Sequence, residues 1–283
     1  MKKKLKIICL TLAICLLILP SLSGCENETK RANTTDYWST IKKRGKVIVG
    51  LDDSFVPMGF RKKNGQLTGY DIDLAKAVFK LYGIKVDFQS IDWSMNTTEL
   101  RNRTIDLIWN GFTITPEREK VVSFSHTYLA NEQVLVSKKS QNVTSFKKMT
   151  GKTLGVQSGS SGAQDVDRQP NLLKNQIKDK TPVLYDSFND AFIDLNANRI
   201  QGLLIDSVYA GYYIKHESDP QSYREIQGKF PKEEFAVGMR KGDKTLQKKI
   251  NHGLYVLYKN GTLKKINEKW FGNTAKVVAQ PKS

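Results

Sequence analysis

The chain has 283 residues, of which 39% are hydrophobic and 26% are charged, and its formal net charge is +17. This length suffices for one large domain or for two lobes of ordinary size. The positive charge does not indicate nucleic-acid binding, because the lysines are scattered and no run of arginine and aromatic residues forms a nucleic-acid module. Scattered lysines suit a solvated surface near an anionic membrane or cell wall.

The first 24 residues have the features of a secretory signal. Four lysines among residues 2–6 precede an apolar run at 7–20, which is shorter than the roughly 20 residues that a membrane-spanning helix needs. Residues 22–25 (Leu-Ser-Gly-Cys) then resemble a bacterial lipobox, in which the thiol of Cys25 accepts a diacylglycerol. The alternative is an ordinary small-residue cleavage site followed by a chance cysteine. We predict export, with lipid anchoring at Cys25.

The cysteines support export without disulfides. Cys9 and Cys15 lie in the signal and Cys25 would be lipidated, so the mature chain keeps no thiol for a disulfide or a metal site. The three histidines form no His-x-x-x-His pair, and neither a metal nor a cofactor is expected. Removing residues 1–24 takes away four lysines and no acidic residue, which leaves a net charge of +13.

Residues 25–40 are mostly polar and predict a flexible tether, after which strands alternate with amphipathic helices. An Asn64-Gly65 hairpin is predicted between 59–61 and 66–68. Strands are predicted at 47–50, 86–90, 105–110, 133–137, 153–156, 203–206 and 235–238. Helices are predicted at 71–82, 97–102, 188–198, 207–215, 244–259 and 263–270. Two successive α/β series predict two lobes, with a ligand cleft beyond the carboxyl ends of the strands.

Five segments in order carry a family resemblance: 52–60 (DDSFVPMGF), 69–74 (GYDIDL), 111–118 (GFTITPER), 155–161 (GVQSGSS) and 269–272 (KWFG). Over residues 41–272 the chain resembles the polar amino-acid family of ABC-transporter solute-binding proteins. The resemblance implies an α/β, two-lobed periplasmic-binding-protein-like fold (type II) with the ligand in the interlobe cleft. It implies hinge strands near 132–136 and 235–237. The first lobe would comprise 41–135 and 236–272, the second 136–235, and a tail 273–283.

The same resemblance implies a function. The protein would be a monomeric, extracytoplasmic receptor that captures a free polar amino acid and delivers it to the permease subunits of an ABC importer. It would have no catalytic residues.

Two charged residues are candidates for the ligand's α-carboxylate and α-ammonium. Arg118 lies one turn into a helix that begins after Thr115-Pro116, and its guanidinium matches a carboxylate bidentately. Composition alone favours a surface arginine in a charged turn, but the family resemblance reverses this, because Arg118 falls on the family's carboxylate-binding position. Asp206 directly follows a predicted strand and is the candidate for the ammonium. The alternative role of Asp206 is to cap the helix that follows.

Small residues at 158–162 open a helix and would expose backbone N–H groups to an anion. The N–H groups of Ser161 and Gly162 would meet the same carboxylate as Arg118, although the segment could also be a plain flexible turn. By resemblance, the Thr113 hydroxyl and the Gly111 carbonyl would accept from the ammonium.

Recognition of the ligand's side chain is assigned to a further group of residues. By resemblance, Phe55 and Trp93 sandwich the aliphatic part of the ligand, and Asp52 accepts from its far end; packing in the core and a turn are the alternative roles. Gln157 and Asn110 depart from the family pattern, which leaves glutamine, arginine, lysine and cystine open. Two other functions also remain open: a dehydratase-like enzyme on the same fold, and a surface sensor or adhesion lipoprotein.

Overall fold

The structure, a computed structural model, describes residues 30–272. The predicted signal, Cys25 and the C-terminal tail at 273–283 lie outside these residues. None of the helices between residues 30 and 272 combines the length and the apolar character that crossing a bilayer requires.

The first lobe is built on a five-stranded mixed sheet. Its strands in spatial order are β5 (Lys85–Ser90), β1 (Lys46–Leu51), β6 (Leu107–Ile108), β15 (Gly238–Arg240) and β7 (Val122–Phe124). β1 is parallel to β5 and β6, whereas β15 is antiparallel to β6 and β7. The predicted hairpin forms beside this sheet from β2 (Ser54–Phe55), β3 (Gly59–Arg61) and β4 (Leu67–Thr68).

Six helices cover the first-lobe sheet: α1 (Trp38–Arg44), α2 (Tyr70–Lys80), α3 (Asn96–Arg101), α4 (Pro116–Glu119), α8 (Lys244–Lys259) and α9 (Thr262–Phe271). The apolar residues of α2 recur at helical spacing, so Leu74 and Val78 share one buried face. α8 packs closely on that face because Gly253 has no side chain; a Cβ there would lie 2.7 Å from Val78 Cγ1.

The second lobe repeats the pattern with its own five-stranded sheet. Its strands in spatial order are β11 (Val183–Tyr185), β10 (Leu154–Gln157), β12 (Gly202–Asp206), β9 (Gln133–Lys138) and β13 (Tyr223–Gln227). β10 is parallel to both of its neighbours, and β9 is antiparallel to β12 and β13. The helices of this lobe are α5 (Ser161–Arg168), α6 (Phe188–Asn196) and α7 (Ser207–His216). The predicted two-lobed α/β fold is confirmed.

A two-stranded antiparallel ladder joins the lobes, formed by β8 (Leu129–Asn131) and β14 (Glu233–Phe235). The single strand predicted at 235–238 is therefore wrong, since it is divided between two sheets. The chain leaves the ladder after Phe235, Ala236 donates its N–H to the carbonyl of Phe112 (3.0 Å), and pairing in the first-lobe sheet starts at Gly238. An unbroken apolar run gives no signal of where such a change of partner occurs.

The predicted tether at 25–40 is too long. Residues 30–34 are helical, and Ala32 is buried against the first lobe. The Ala32 carbonyl accepts from Gly242 N at 3.0 Å, and a Cβ on Gly242 would lie 2.4 Å from the Thr35 carbonyl oxygen. α1 then begins at Trp38, inside the segment expected to be flexible.

Candidate functional site

Two parallel strands from each of the two sheets end at one cavity between the lobes. Asp52 follows β1, Asn110 lies just beyond β6, and Gln157 and Asp206 are the last residues of β10 and β12. The space between the side chains there, open solvent included, is about 270 Å³. It is lined by Asp52, Phe55, Trp93, Asn110, Gly111, Arg118, Gln157, Ser160, Ser161 and Asp206. Charged and amide side chains from both lobes line this space, so its chemistry suits a small polar molecule.

Hydrogen bonds cross the cleft around the cavity, so the two lobes are closed on each other. They are Gln157 Nε2 to Asp52 Oδ2 (2.7 Å), Arg118 Nη2 to the Gly159 carbonyl (3.0 Å) and Ser161 Oγ to Thr113 Oγ1 (3.2 Å). Each of these bonds pairs a first-lobe residue with a second-lobe residue. A ligand in the cavity would contact both lobes and stabilise the closed state.

Arg118 is held in place by local structure. Thr115 caps α4 by accepting the Arg118 N–H (3.3 Å), and Pro116 occupies the first helical position. The guanidinium lies 4.2 Å above the ring of Phe112 and donates to the Thr113 carbonyl at 2.8 Å. With the bond to Gly159, two of its five N–H donors are used, which leaves three for a ligand carboxylate. Burial lowers the pKa of Arg118 to about 10, so it remains a cation at neutral pH.

Asp206 faces the same cavity from the second lobe and is 5% exposed. It stands at the N-cap position of α7, yet its side chain makes no capping hydrogen bond. Its Oδ1 instead accepts from Gln133 Nε2 (3.0 Å) and, over a short distance, from Asn131 Nδ2. Burial, together with the negative charge of Glu233, raises the pKa of Asp206 far above its usual range. These contacts direct the Asp206 carboxyl to the buried amides of Asn131 and Gln133 and not to the backbone of α7.

Position 111 requires a glycine. Its φ is 57°, and a Cβ would lie 2.7 Å from Phe55 Cε1 in the cavity wall. The Gly111 N–H donates to Asp71 Oδ2 (2.7 Å), which also accepts from the Tyr128 hydroxyl (3.0 Å). Asp71 thus fixes the loop that presents Gly111. Burial raises the pKa of the Asp71 carboxyl to about 7.

Replacing Asp71 with asparagine should change the pH dependence of stability. The pKa of Asp71 is about 7 in the folded protein and about 4 in an unfolded chain. Between these pH values the folded protein therefore holds a proton on Asp71 that the unfolded chain has lost. Stability from this group is therefore greatest at low pH and declines as the pH rises toward 7. The free energy of unfolding of the wild type should fall relative to Asp71→Asn by up to about 1.4 kcal/mol per pH unit between pH 5 and 7.

Urea unfolding of both proteins at several pH values measures this difference. Asp87→Asn is the control, because the Asp87 carboxylate is half exposed and pairs with Lys46 on the surface. A difference between wild type and Asp71→Asn that stays constant from pH 5 to 8 would contradict the assignment.

The part of the cavity lined by Asp52, Phe55, Trp93 and Asn110 combines aromatic and polar groups. Phe55 packs against Tyr209 (ring centroids 5.3 Å apart), while Trp93 lies edge-on to Phe112. Asp52 Oδ1 accepts from Ser54, and burial raises the pKa of Asp52. Asn110 lies beside them, 2% exposed, with its Oδ1 accepting from the Asp52 N–H (3.1 Å). This part of the cavity can therefore surround an apolar stem and accept hydrogen bonds at its tip.

Nine of the eleven ligand-binding residues predicted from the sequence line the cavity. The other two, Thr113 and Gly162, are buried behind it; Gly162 packs on Gln133, whose Oε1 lies 2.7 Å from where a Cβ would stand. Ser160 lines the cavity but was not predicted. It caps α5 by accepting the Ala163 N–H (3.1 Å), and a serine before a helix is a signal that could have identified it.

A second layer of polar residues, Asn131, Gln133 and Glu233, was also missed. All three are buried around Asp206 and Thr113. Asn131 and Gln133 are two residues apart, so polar side chains at strand spacing were the available signal. No comparable signal marks Glu233. Among residues 30–272, no group of three or more His, Cys, Asp or Glu side chains is placed to hold a metal ion.

Two closed lobes around a small polar cavity are typical of a protein that binds a small molecule between its lobes. The profile of the bacterial extracellular solute-binding proteins, family 3, matches residues 47–273, and the chain belongs to that family.

Known relatives cover most of the chain. The arginine-binding extracellular protein ArtP of Bacillus subtilis is 30% identical over 226 residues, which is 80% of this chain and 86% of ArtP. The L-cystine-binding protein TcyJ of Escherichia coli is 29% identical, covering 82% of this chain and 85% of TcyJ. Among solved structures, an ABC uptake transporter substrate-binding protein from Streptococcus pneumoniae, crystallised with bound histidine, is 50% identical in sequence to this chain. The two structures match over 85% of this chain and 98% of the S. pneumoniae chain, with a TM-score of 0.83.

Proposed function

We propose that this protein is an extracytoplasmic, lipid-anchored receptor that captures a free polar amino acid and delivers it to an ABC importer. The observation that carries the proposal is the placement of Arg118 and Asp206. They line one cavity from opposite lobes, with a cation on one side and a buried carboxylate on the other.

A free amino acid needs this pair of groups once water is excluded. Its α-carboxylate requires a cation with parallel donors, and its α-ammonium requires an anionic acceptor, because unpaired charges are costly to bury. Arg118 supplies the first and Asp206 the second. An adhesion protein has no need of either, and a receptor differs from an enzyme in releasing its ligand unchanged.

The ligand's side chain would lie between Phe55 and Trp93 with its tip toward Asp52. Aromatic faces accommodate a methylene stem or a planar group, and a carboxylate accepts hydrogen bonds from an amide, guanidinium, ammonium or imidazole. Glutamine, arginine, lysine and cystine are the candidates, and the histidine bound by the S. pneumoniae protein adds a further one.

A thermal-shift screen over the twenty amino acids and cystine tests the proposal, because a ligand that binds only the folded state raises the melting temperature. We expect a rise for at least one polar amino acid. The matched control is the same molecule without its α-amino group, which should have a much smaller effect. No shift with any of these compounds at millimolar concentration would contradict the proposal and favour a surface sensor or adhesion role.

The enzyme alternative is tested on whichever amino acid binds. Chromatography of that amino acid after prolonged incubation with the protein should recover it unchanged. Conversion into a new product would replace the receptor assignment with a catalytic one.

Lipid anchoring is tested by Cys25→Ser, which removes the thiol that would accept the diacylglycerol. In a bacterial host we expect the wild type in the membrane fraction and labelled with palmitate, and the variant unlabelled and released. Cys15→Ser is the matched control, since Cys15 lies in the predicted signal and should not affect labelling. Equal labelling of the wild type and Cys25→Ser would refute the anchor.

A further inference from the structure

A second buried carboxylate, Glu233, lies behind Asp206. Its side chain comes from the hinge strand β14, is buried, and does not line the cavity. Glu233 Oε2 accepts from Asn131 Nδ2 (2.7 Å), from Gln133 Nε2 (3.0 Å) and from Thr113 Oγ1 (3.3 Å). The carboxylate therefore acts on the cavity through other side chains.

Asn131 and Gln133 donate to both carboxylates. Each also donates to Asp206 Oδ1. The distance from Gln133 Nε2 is 3.0 Å, and the bond from Asn131 Nδ2 is short. Strand register explains this arrangement, because Asn131 stands directly opposite Glu233 in the hinge ladder and Gln133 stands directly opposite Asp206 in the second-lobe sheet. The four side chains thus join the hinge to the wall of the ligand cavity.

No ion pair within residues 30–272 joins a lysine or an arginine to Asp206 or Glu233. The charged groups that interact with the pair are Arg118 from α4 and Asp165 from α5, and these two in turn interact with Glu117 and Arg168. Arg118 directs its hydrogen bonds to the carbonyls of Thr113 and Gly159 instead.

Two like charges that share donors in a buried site resist being ionised together. The raised pKa of Asp206, caused by burial and then by Glu233, agrees with this geometry. In a protein of the proposed function, the α-ammonium would bring the missing positive charge to Asp206.

We propose that Glu233 is a positioning residue of the ammonium site: with Asp206 it holds one shared proton in the ligand-free protein, and that proton leaves as the α-ammonium binds. The proposal rests on the proposed function. The proton passes to water, and both carboxylates are then ionised beside the ammonium and Arg118. Because binding releases a proton, affinity rises with pH over the range in which the pair is protonated.

The shared proton is tested first without ligand. Infrared spectra of the ligand-free protein at pH 7 should show the carbonyl stretch of a protonated carboxyl, and Glu233→Gln should weaken it. Glutamine keeps the size of the side chain and an oxygen that accepts from Asn131 and Gln133. Asp71 is common to all the proteins compared, so its contribution cancels in difference spectra. The matched control is Glu234→Gln, an exposed neighbour on the same strand. Equal spectra for wild type and Glu233→Gln would overturn the proposal.

Proton release is tested by calorimetry with L-arginine and L-glutamine in buffers of different ionisation enthalpy, from pH 6 to 8. The side chains of both probes keep one charge state over this range. The wild type and Glu234→Gln should release about one proton and gain up to about tenfold in affinity per pH unit, whereas Glu233→Gln should change less than about threefold.

A purely structural role for Glu233 would lower stability and leave the pH profile unchanged, which would overturn the proposal. Equal proton release by wild type and Glu233→Gln would do the same. If the wild type bound neither of these nor any amino acid in the screen, the proposed function and ligand-driven release would both fail, while the infrared comparison would still decide whether the carboxylates share a proton.

Discussion

Arg118→Ala is expected to weaken binding of the amino acid by at least about thirtyfold, which corresponds to about 2 kcal/mol. The reason is desolvation: the ligand carboxylate would enter a closed cavity without the guanidinium that matches its two oxygens. Isothermal titration calorimetry with the amino acid identified by thermal shift measures the loss. Arg118→Lys should recover only part of it, because an ammonium keeps the charge and lacks the planar fork.

Arg199→Ala is the control for removing an arginine. Arg199 lies on the surface of the second lobe, where its exposed side chain pairs with Asp194. Unchanged affinity in Arg118→Ala, in a protein that still melts cooperatively, would mean that Arg118 is a structural residue and that the carboxylate binds elsewhere.

Asp206→Asn is expected to weaken binding by roughly tenfold to a hundredfold, because a charge-assisted hydrogen bond to the ammonium is lost. The asparagine oxygen can still accept from Asn131 and Gln133, so the fold should survive. The same ligand without its α-amino group separates the causes: its weak binding should be nearly the same in wild type and variant, since it has no ammonium to lose.

The competing role of Asp206 as a helix cap makes the opposite prediction. In that case Asp206→Asn or Asp206→Ala would lower the melting temperature and leave affinity intact. The absence of a capping hydrogen bond from the Asp206 side chain argues against that outcome. Asp167→Asn is the control, because Asp167 is an exposed carboxylate of the same lobe.

Local patterns predicted most of the elements. The hairpin at Asn64-Gly65 and the helix α8 at Lys244–Lys259 follow from turn chemistry and from apolar spacing, which act over a few residues. Local sequence patterns were least informative where contacts with distant parts of the chain determine the secondary structure. The run at 235–238 crosses from the hinge ladder to a sheet, and residues 30–34 become helical against Gly242, more than 200 positions away in the chain.

The residues of the candidate site likewise fall into those that the sequence predicts and those that only the structure identifies. Arg118 and Asp206 could be chosen from the sequence, because Arg118 lies in the first turn of a capped helix and Asp206 ends an apolar strand, and both places can be recognised locally. Only the tertiary structure showed that Glu233 lies behind Asp206, since Asn131 and Gln133 contact Glu233 across 102 and 100 positions of the chain. A carboxylate near the start of a hinge strand resembles any surface glutamate until folding removes water and brings a second carboxylate beside it. Burial and the nearness of like charges belong to the folded chain, and they are what give Glu233 a role.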